Sequence, residues 1–243
     1  MCRFKSAIIL KDRVFVPDYD RHTDMLEELK IKDNQENAKR LFVRAELIPP
    51  KNDVFSDINT WNMNIDQDII PEWFVAEYEK QRLVDAVKMW AKTHIYISVN
   101  NIELTGCTYY LKECQNVRCS NSTVEAWGNS TVEAYSNSTV EALDNSTVKA
   151  YDNSTVEAWD NSTVEAWDNS TVEAYSNSTV KAYDNSTVKA YDNSTVVKTL
   201  YSTFNTENLV ICDNATFKDC STKTIYQSGD YKLVSVTNGK INN

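Results

Sequence analysis

Glycine and proline, the residues that most often turn a chain, number only four each among 243 residues, where average usage would supply about 17 and about 12. The deficit excludes collagen-like, Gly/Ser-linker and proline-rich classes, and it leaves some other residue to make the turns. Long apolar runs are missing too. The first, Ala7 to Leu10, lies between Lys5 and Lys11 and is too short for a secretory segment or a membrane span. The expectation is a soluble, cytoplasmic protein. The scarce residues are also unevenly placed: Pro17, Pro49, Pro50 and Pro71 leave everything after residue 71 without proline, and two of the four glycines lie beyond residue 220.

What the chain does contain is an octad, running in ten tandem units from Ser120 to Thr199: SNSTVEAW, GNSTVEAY, SNSTVEAL, DNSTVKAY, DNSTVEAW, DNSTVEAW, DNSTVEAY, SNSTVKAY, DNSTVKAY and DNSTVVKT. Eight fits neither the 3.6 period of a helix nor a heptad, and Asn-Ser-Thr-Val is weak helix material. Read as strands, each unit puts Ser122, Val124 and Ala126 on one side and Thr123, Glu125 and Trp127 on the other. A Glu or Lys in every unit resists burial, so the Ser/Val/Ala side faces inward. The turn falls at aromatic-Asp-Asn, where Asn is expected to take the left-handed conformation and Asp or Ser to bond the chain two residues on.

One Val and one Ala per unit bury too little apolar surface to order eight residues. Stability must come from stacking units as parallel strands, which predicts a β-solenoid. With two octads in a 16-residue coil, one face stacks Glu133, Lys149, Glu165 and Lys181, with alternating charge. The other stacks Glu125, Glu141, Glu157 and Glu173 before Lys189, with four like charges in succession. The block resembles the short tandem-repeat β-helix proteins of bacteria and bacteriophages. That resemblance implies a fold and a bacterial or phage source; it carries no activity and no site residues.

The predicted fold class is α+β: an N-terminal α/β domain (1–94), irregular first coils (95–119), the octad solenoid (120–199) and degenerate repeats closing its end (200–243). In the last segment Leu209, Phe217, Ile225, Leu233 and Ile241 recur every eight residues as larger core residues. Upstream, Ile95, Ile97, Val99, Ile102, Leu104, Cys107, Leu111, Val117 and Cys119 read as strand material. In the N-terminal domain, residues 6–10 and 14–16 read as a hairpin and 41–48 as a strand stopped by Pro49-Pro50. Thr23 is placed to cap a helix through Lys30, and Asp33 with Glu36 has capping-box spacing. Pro71 suits the first position of a helix ending near Lys92, with Phe74, Tyr78, Val84, Val87 and Ala91 near one face.

Charge is concentrated in the repeat. The octad block holds 12 acids and 4 lysines, a net of −8 out of −10 for the chain. An acidic rod is a poor nucleic-acid or membrane binder, but it suits a basic protein partner, such as one that itself binds nucleic acid. The leading expectation is therefore a non-enzymatic protein-binding scaffold without cofactor or metal. Glu125, Glu141, Glu157 and Glu173, with Trp127, Trp159 and Tyr175, are its candidate binding residues, and a solenoid end offers a route to homo-oligomers.

Two alternatives stand beside it. Cys2, once the initiator Met is removed, would place a free amine beside a thiol, the pairing that N-terminal nucleophile hydrolases use; His22 and His94 are the only histidines available to assist. The outward aromatic columns could stack on sugar rings, although stacking on one another explains them better. Cys107, Cys114, Cys119, Cys212 and Cys220 lack a C-x-x-C pair and are read as reduced, inward packing residues. The recurring Asn-Ser-Thr sequon is read as turn chemistry, since sugars on adjacent coils would collide.

Overall fold

The computed structural model describes residues 4–200, 202–222, 224–229, 232–237 and 240–242. It divides into two compact units, residues 1–95 and 96–243.

The first unit is a four-stranded antiparallel sheet with three helices. Strands β1 (Lys5–Leu10) and β2 (Val14–Phe15) form the expected hairpin, with Ile8 opposite Phe15. Next come α1 (His22–Glu28), α2 (Gln35–Ala38) and β3 (Phe42–Ile48). Strand β4 (Asn62–Ile65) and helix α3 (Ala76–His94) complete the unit, and the sheet order is β2-β1-β3-β4. Alternation along β1 gives each face its own core. Ile8 and Leu10 pack with Met25, Leu26 and Ala38 of the short helices, whereas Ala7 and Ile9 are fully buried on the opposite face, where α3 packs.

Three local expectations are corrected here. Helix α1 begins at His22 without a side-chain cap, so Thr23 lies inside its first turn and donates to Asp24 Oδ1 at 3.3 Å. The cap of α2 is Asn34, whose side-chain Oδ1 accepts the Asn37 N–H at 2.9 Å, while Asp33 pairs instead with Arg44. Helix α3 starts five residues after Pro71, because residues 71–74 close a separate turn (Phe74 N–H to Pro71 O, 3.0 Å) pinned by the Trp73 indole on Arg40 O at 2.7 Å. Tyr78 consequently points out, at 73 % exposed, and Leu83 and Trp90 join Val84, Val87 and Ala91 in the buried face.

The second unit is a parallel β-solenoid of about six turns. Its strands are β5 (Ile95–Ile97), β6 (Glu103–Thr105), β7 (Thr108–Lys112) and β8 (Val117–Ser120). The octads then give β9 (Thr123–Trp127), β10 (Thr131–Tyr135), β11 (Thr139–Ala142), β12 (Thr147–Ala150) and β13 (Thr155–Ala158). They continue as β14 (Thr163–Ala166), β15 (Thr171–Ala174), β16 (Thr179–Ala182), β17 (Thr187–Ala190) and β18 (Thr195–Lys198). Odd and even strands segregate into two facing sheets.

Register fixes the coil at sixteen residues through the repeat: Val124, Val140, Val156, Val172 and Val188 lie in one column and Val132, Val148, Val164, Val180 and Val196 in the other. The flanking coils differ. Upstream, Leu104 pairs with Cys119 and Tyr109 with Val124, fifteen residues apart. Downstream, β19 (Leu209–Ile211) and β20 (Thr216–Asp219) pair Leu209 with Val188 and Phe217 with Val196, twenty-one residues apart. The five extra residues swell one corner, which Phe204 fills at 1 % exposed.

The Ser, Val and Ala at the third, fifth and seventh octad positions are all buried. The turn chemistry departs from expectation in one respect. In the first octad Asn121 is left-handed as expected (φ 49°), but from the second unit on it is the first residue of the octad: Asp144, Asp152, Asp160, Asp168, Asp184 and Asp192, or Ser136 and Ser176, have φ between 50° and 59°. The turn is closed by the Ser N–H on the preceding aromatic's carbonyl, as in Ser162 to Trp159 O at 3.1 Å.

Aspartate replaces glycine there because its side chain has a second task. Asp144 Oδ2 accepts the Gly128 N–H, Asp152 Oδ2 the Ser136 N–H and Asp192 Oδ2 the Ser176 N–H, each at 3.0 Å and each reaching one coil back. The carboxylate thus satisfies a turn amide that the parallel ladder leaves open. Gly128 is the one glycine at this position, where φ is 68° and a Cβ would run into the Glu113 carboxylate of the coil before it.

Two further expectations give way at the solenoid's ends. Ile97 and Val99 are 51 % and 37 % exposed, and Tyr109 and Cys114 supply the core of the first coils instead. After β20 the chain reverses: β21 (Thr224–Gly229), β22 (Lys232–Thr237) and β23 (Lys240–Asn242) extend the even sheet antiparallel. Tyr226, not Ile225, pairs and stacks with Phe217, so the eight-residue phase stops at Phe217 and Ile225 is 36 % exposed. The side chains of Leu233 and Ile241 lie outside the described residues. No helix among the described residues is long and apolar enough to cross a membrane.

Candidate functional site

The two sheets present chemically different outer faces, and the sixth octad residue makes the difference. On the even sheet, register aligns Glu103, Arg118, Glu133, Lys149, Glu165 and Lys181 in one strictly alternating column. The ion pairs form: Arg118 Nε to Glu133 at 3.1 Å, Lys149 to Glu133 at 3.8 Å and Lys181 to Glu165 at 3.0 Å. Burial raises the Glu133 carboxyl, but hydrogen bonds from Tyr135 and Arg118, with the charges of Arg118 and Lys149, outweigh it and hold the group below its ordinary value.

The odd sheet aligns Tyr110, Glu125, Glu141, Glu157, Glu173 and Lys189. Lys189 neutralises only the last acid, at 2.9 Å from Glu173, which it and the Tyr175 hydroxyl hold below its ordinary value. Glu125 is pushed up by burial and then by Glu141, against a lowering hydrogen bond from Trp127; Glu141 is pushed up by burial and then by Glu157. Among the described residues no cation pairs with Glu125, Glu141 or Glu157. Strands about 4.8 Å apart keep these acids next to one another in a single column.

The candidate aromatic residues lie beside this column at the strand ends, all half-buried. Trp159, Tyr175 and Tyr191 stack face to face, with centroids 4.2 Å and 5.1 Å apart. Across the solenoid Trp167 and Tyr183 stack at 3.8 Å and Tyr135 and Tyr151 at 4.9 Å. Ring faces are therefore spent on neighbouring rings, leaving edges for an outside ligand. Leu143, one coil after Trp127, interrupts this aromatic column before Trp159.

Upstream, a polar groove of about 530 Å³ crosses the balanced face, lined by Asn101, Gln115, Asn116 and Thr131 on one side and Arg118 and Glu133 on the other. Glu103 and Arg118 were not flagged by sequence, because they enter the ladder through fifteen-residue coils that fall outside the octad. A charged residue at every fifteenth position before Glu133 is the signal that would have found them.

Cys2 lies outside the described residues. The other cysteines form no disulfide among the described residues; Cys114 and Cys119 are buried, and burial pushes the Cys119 thiol up to about 11. Cys107 and Cys212 are half-buried, and Cys220 is exposed in the turn after β20, which corrects the expectation that it packs inward. Compared with known protein families, with curated proteins and with solved structures, the chain matches none.

Proposed function

We propose that this chain is a non-enzymatic binding scaffold, of bacterial or phage origin and acting in the cytoplasm, whose acidic face engages a basic surface of a protein partner. The supporting observation is the contrast between the two faces. The same octad carries a lysine at its sixth position on the even sheet often enough to neutralise every acid, yet leaves Glu125, Glu141 and Glu157 uncompensated on the odd sheet. A cationic surface laid along that column relieves a repulsion the fold carries when free, and the gain appears as affinity.

The test compares two charge-matched triple variants of the full chain for retention on an immobilised lysine-rich peptide. Glu125→Gln, Glu141→Gln and Glu157→Gln together remove the column; Glu27→Gln, Glu72→Gln and Glu77→Gln remove the same charge from exposed positions of the N-terminal unit. Loss of retention in the first and not the second supports the reading. Equal retention in both shows that net charge alone is at work and sinks it.

A further inference from the structure

We infer that the N-terminal unit carries a proton-dependent clamp at His22. The ring is 6 % exposed and sits at the first residue of α1, a helix start that has no side-chain cap. Its Nδ1 lies 3.1 Å from Asp66 Oδ2, in the segment after β4, and its Nε2 lies 3.2 Å from the Ala45 carbonyl of β3. An ionised carboxylate and a backbone carbonyl both only accept hydrogen bonds. A neutral imidazole has one N–H, so either tautomer turns a lone pair toward one of these oxygens. The imidazolium alone donates to both, and in that form His22 ties α1 to two other elements of the unit.

Among the described residues no other charged group substitutes for it. On the surrounding elements Lys5 of β1 is engaged by Asp20 at 2.8 Å, Arg44 of β3 by Asp33, and Glu46 of β3 by Asn64 at 3.1 Å. On its own segment Arg21 lies 3.8 Å from Asp24, and Asp68, beside Asp66, is exposed. Removing the proton therefore leaves one buried nitrogen facing an oxygen with no hydrogen between them, and α1 loosens from the sheet. The sign follows: the clamp is closed while the ring carries both protons and opens when it loses one, so acid closes it and base opens it.

Amide-exchange protection of α1 in the full chain, measured between pH 5.5 and 8.5 as the protection factor so that intrinsic chemistry cancels, reads the clamp directly. Protection at Leu29, whose N–H bonds Met25 O at 3.0 Å, is expected to fall about tenfold across that range, the effect of one unmatched buried hydrogen bond. In His22→Gln it should be low at the acid end and flat. His94 is common to both proteins, so their difference isolates His22. Asp66→Asn, which keeps an acceptor but removes its charge, preserves the fold if His22→Gln does not and should show a smaller fall. Parallel profiles in all three proteins, or protection that rises with pH in the wild type, overturn the inference.

Discussion

Glu141→Lys should stabilise the solenoid while weakening the proposed binding. Glu141 sits between Glu125 and Glu157 in one column, so the substitution removes two like-charge neighbours. It also creates at least one close pair, because lysines at the equivalent positions reach the acid one coil earlier, as Lys181 reaches Glu165 at 3.0 Å and Lys189 reaches Glu173 at 2.9 Å. Cross-strand charge pairs of this half-exposed kind contribute roughly 0.2–1 kcal/mol each. Three such changes sum to about 1–2 kcal/mol, or about 3–6 °C in the midpoint of a unit this size. Thermal unfolding of the full chain followed by circular dichroism measures it, at about 0.1 M and about 1 M salt. The gain should shrink at the higher salt. An unchanged or lower midpoint, or a gain indifferent to salt, would refute the claim that the column is under electrostatic strain.

The faces should also respond oppositely to acid. Raised folded-state carboxyls at Glu125 and Glu141 penalise the fold above their folded values and stop doing so below the ordinary 4.5, so in urea titrations Glu125→Gln with Glu141→Gln should gain stability at pH 7 and lose that gain toward pH 4. Glu133→Gln should do the reverse, costing stability at pH 7 that disappears as pH falls through the depressed Glu133 value. At the turns, the expected order of melting temperature at position 152 is Asn at or above Asp, then Gly, then Ala, with Ala about 2 kcal/mol down from lost left-handed tolerance and a lost bond to Ser136. Gly128→Asp should destabilise through Glu113, although Asp is the commonest residue at that octad position; a stable variant would show that the contact yields. Deleting residues 152–167, one coil, should leave a folded solenoid in register but set Lys149 beside Lys181 on the even sheet, readable as unchanged ellipticity per strand residue and a lowered midpoint that recovers in part at high salt.

The octad made the solenoid legible, because a repeat of eight with one buried Val, Ala and Ser leaves stacking as the only way to bury them. Coil size was only half legible through charge: two octads per coil give an alternating Glu133–Lys149–Glu165–Lys181 column on one face but four acids in a row on the other, and it is the strand registers that fix sixteen. Which turn residue goes left-handed was not legible, since Asp and Asn both tolerate that region. The deciding factor, an Asp carboxylate reaching an amide one coil back, exists only once coils are stacked. The antiparallel end was hidden for a related reason. Ile225 keeps the eight-residue phase by spacing, but the reversal after Asp219 moves Tyr226 into the inner column. In the N-terminal unit Pro71 marked a turn rather than a helix start, because Trp73 had a distant partner, Arg40, that local spacing cannot reveal.

Net charge alone does not define the surface proposed to bind. Exchanging Glu141 and Lys149 would leave composition and net charge untouched, yet it would put a cation inside the acidic column and three acids in a row on the balanced face. What distinguishes the faces is therefore arrangement at a sixteen-residue period, which neither the octad motif nor the composition contains. Because the ladder holds Glu125, Glu141 and Glu157 at a fixed strand spacing, their repulsion stands as long as the coil is intact. A cationic partner and an intramolecular lysine are then competing solutions to one problem. Whatever neutralises the column from within should raise stability and lower affinity together, and the two measurements on Glu141→Lys are linked by that single interaction.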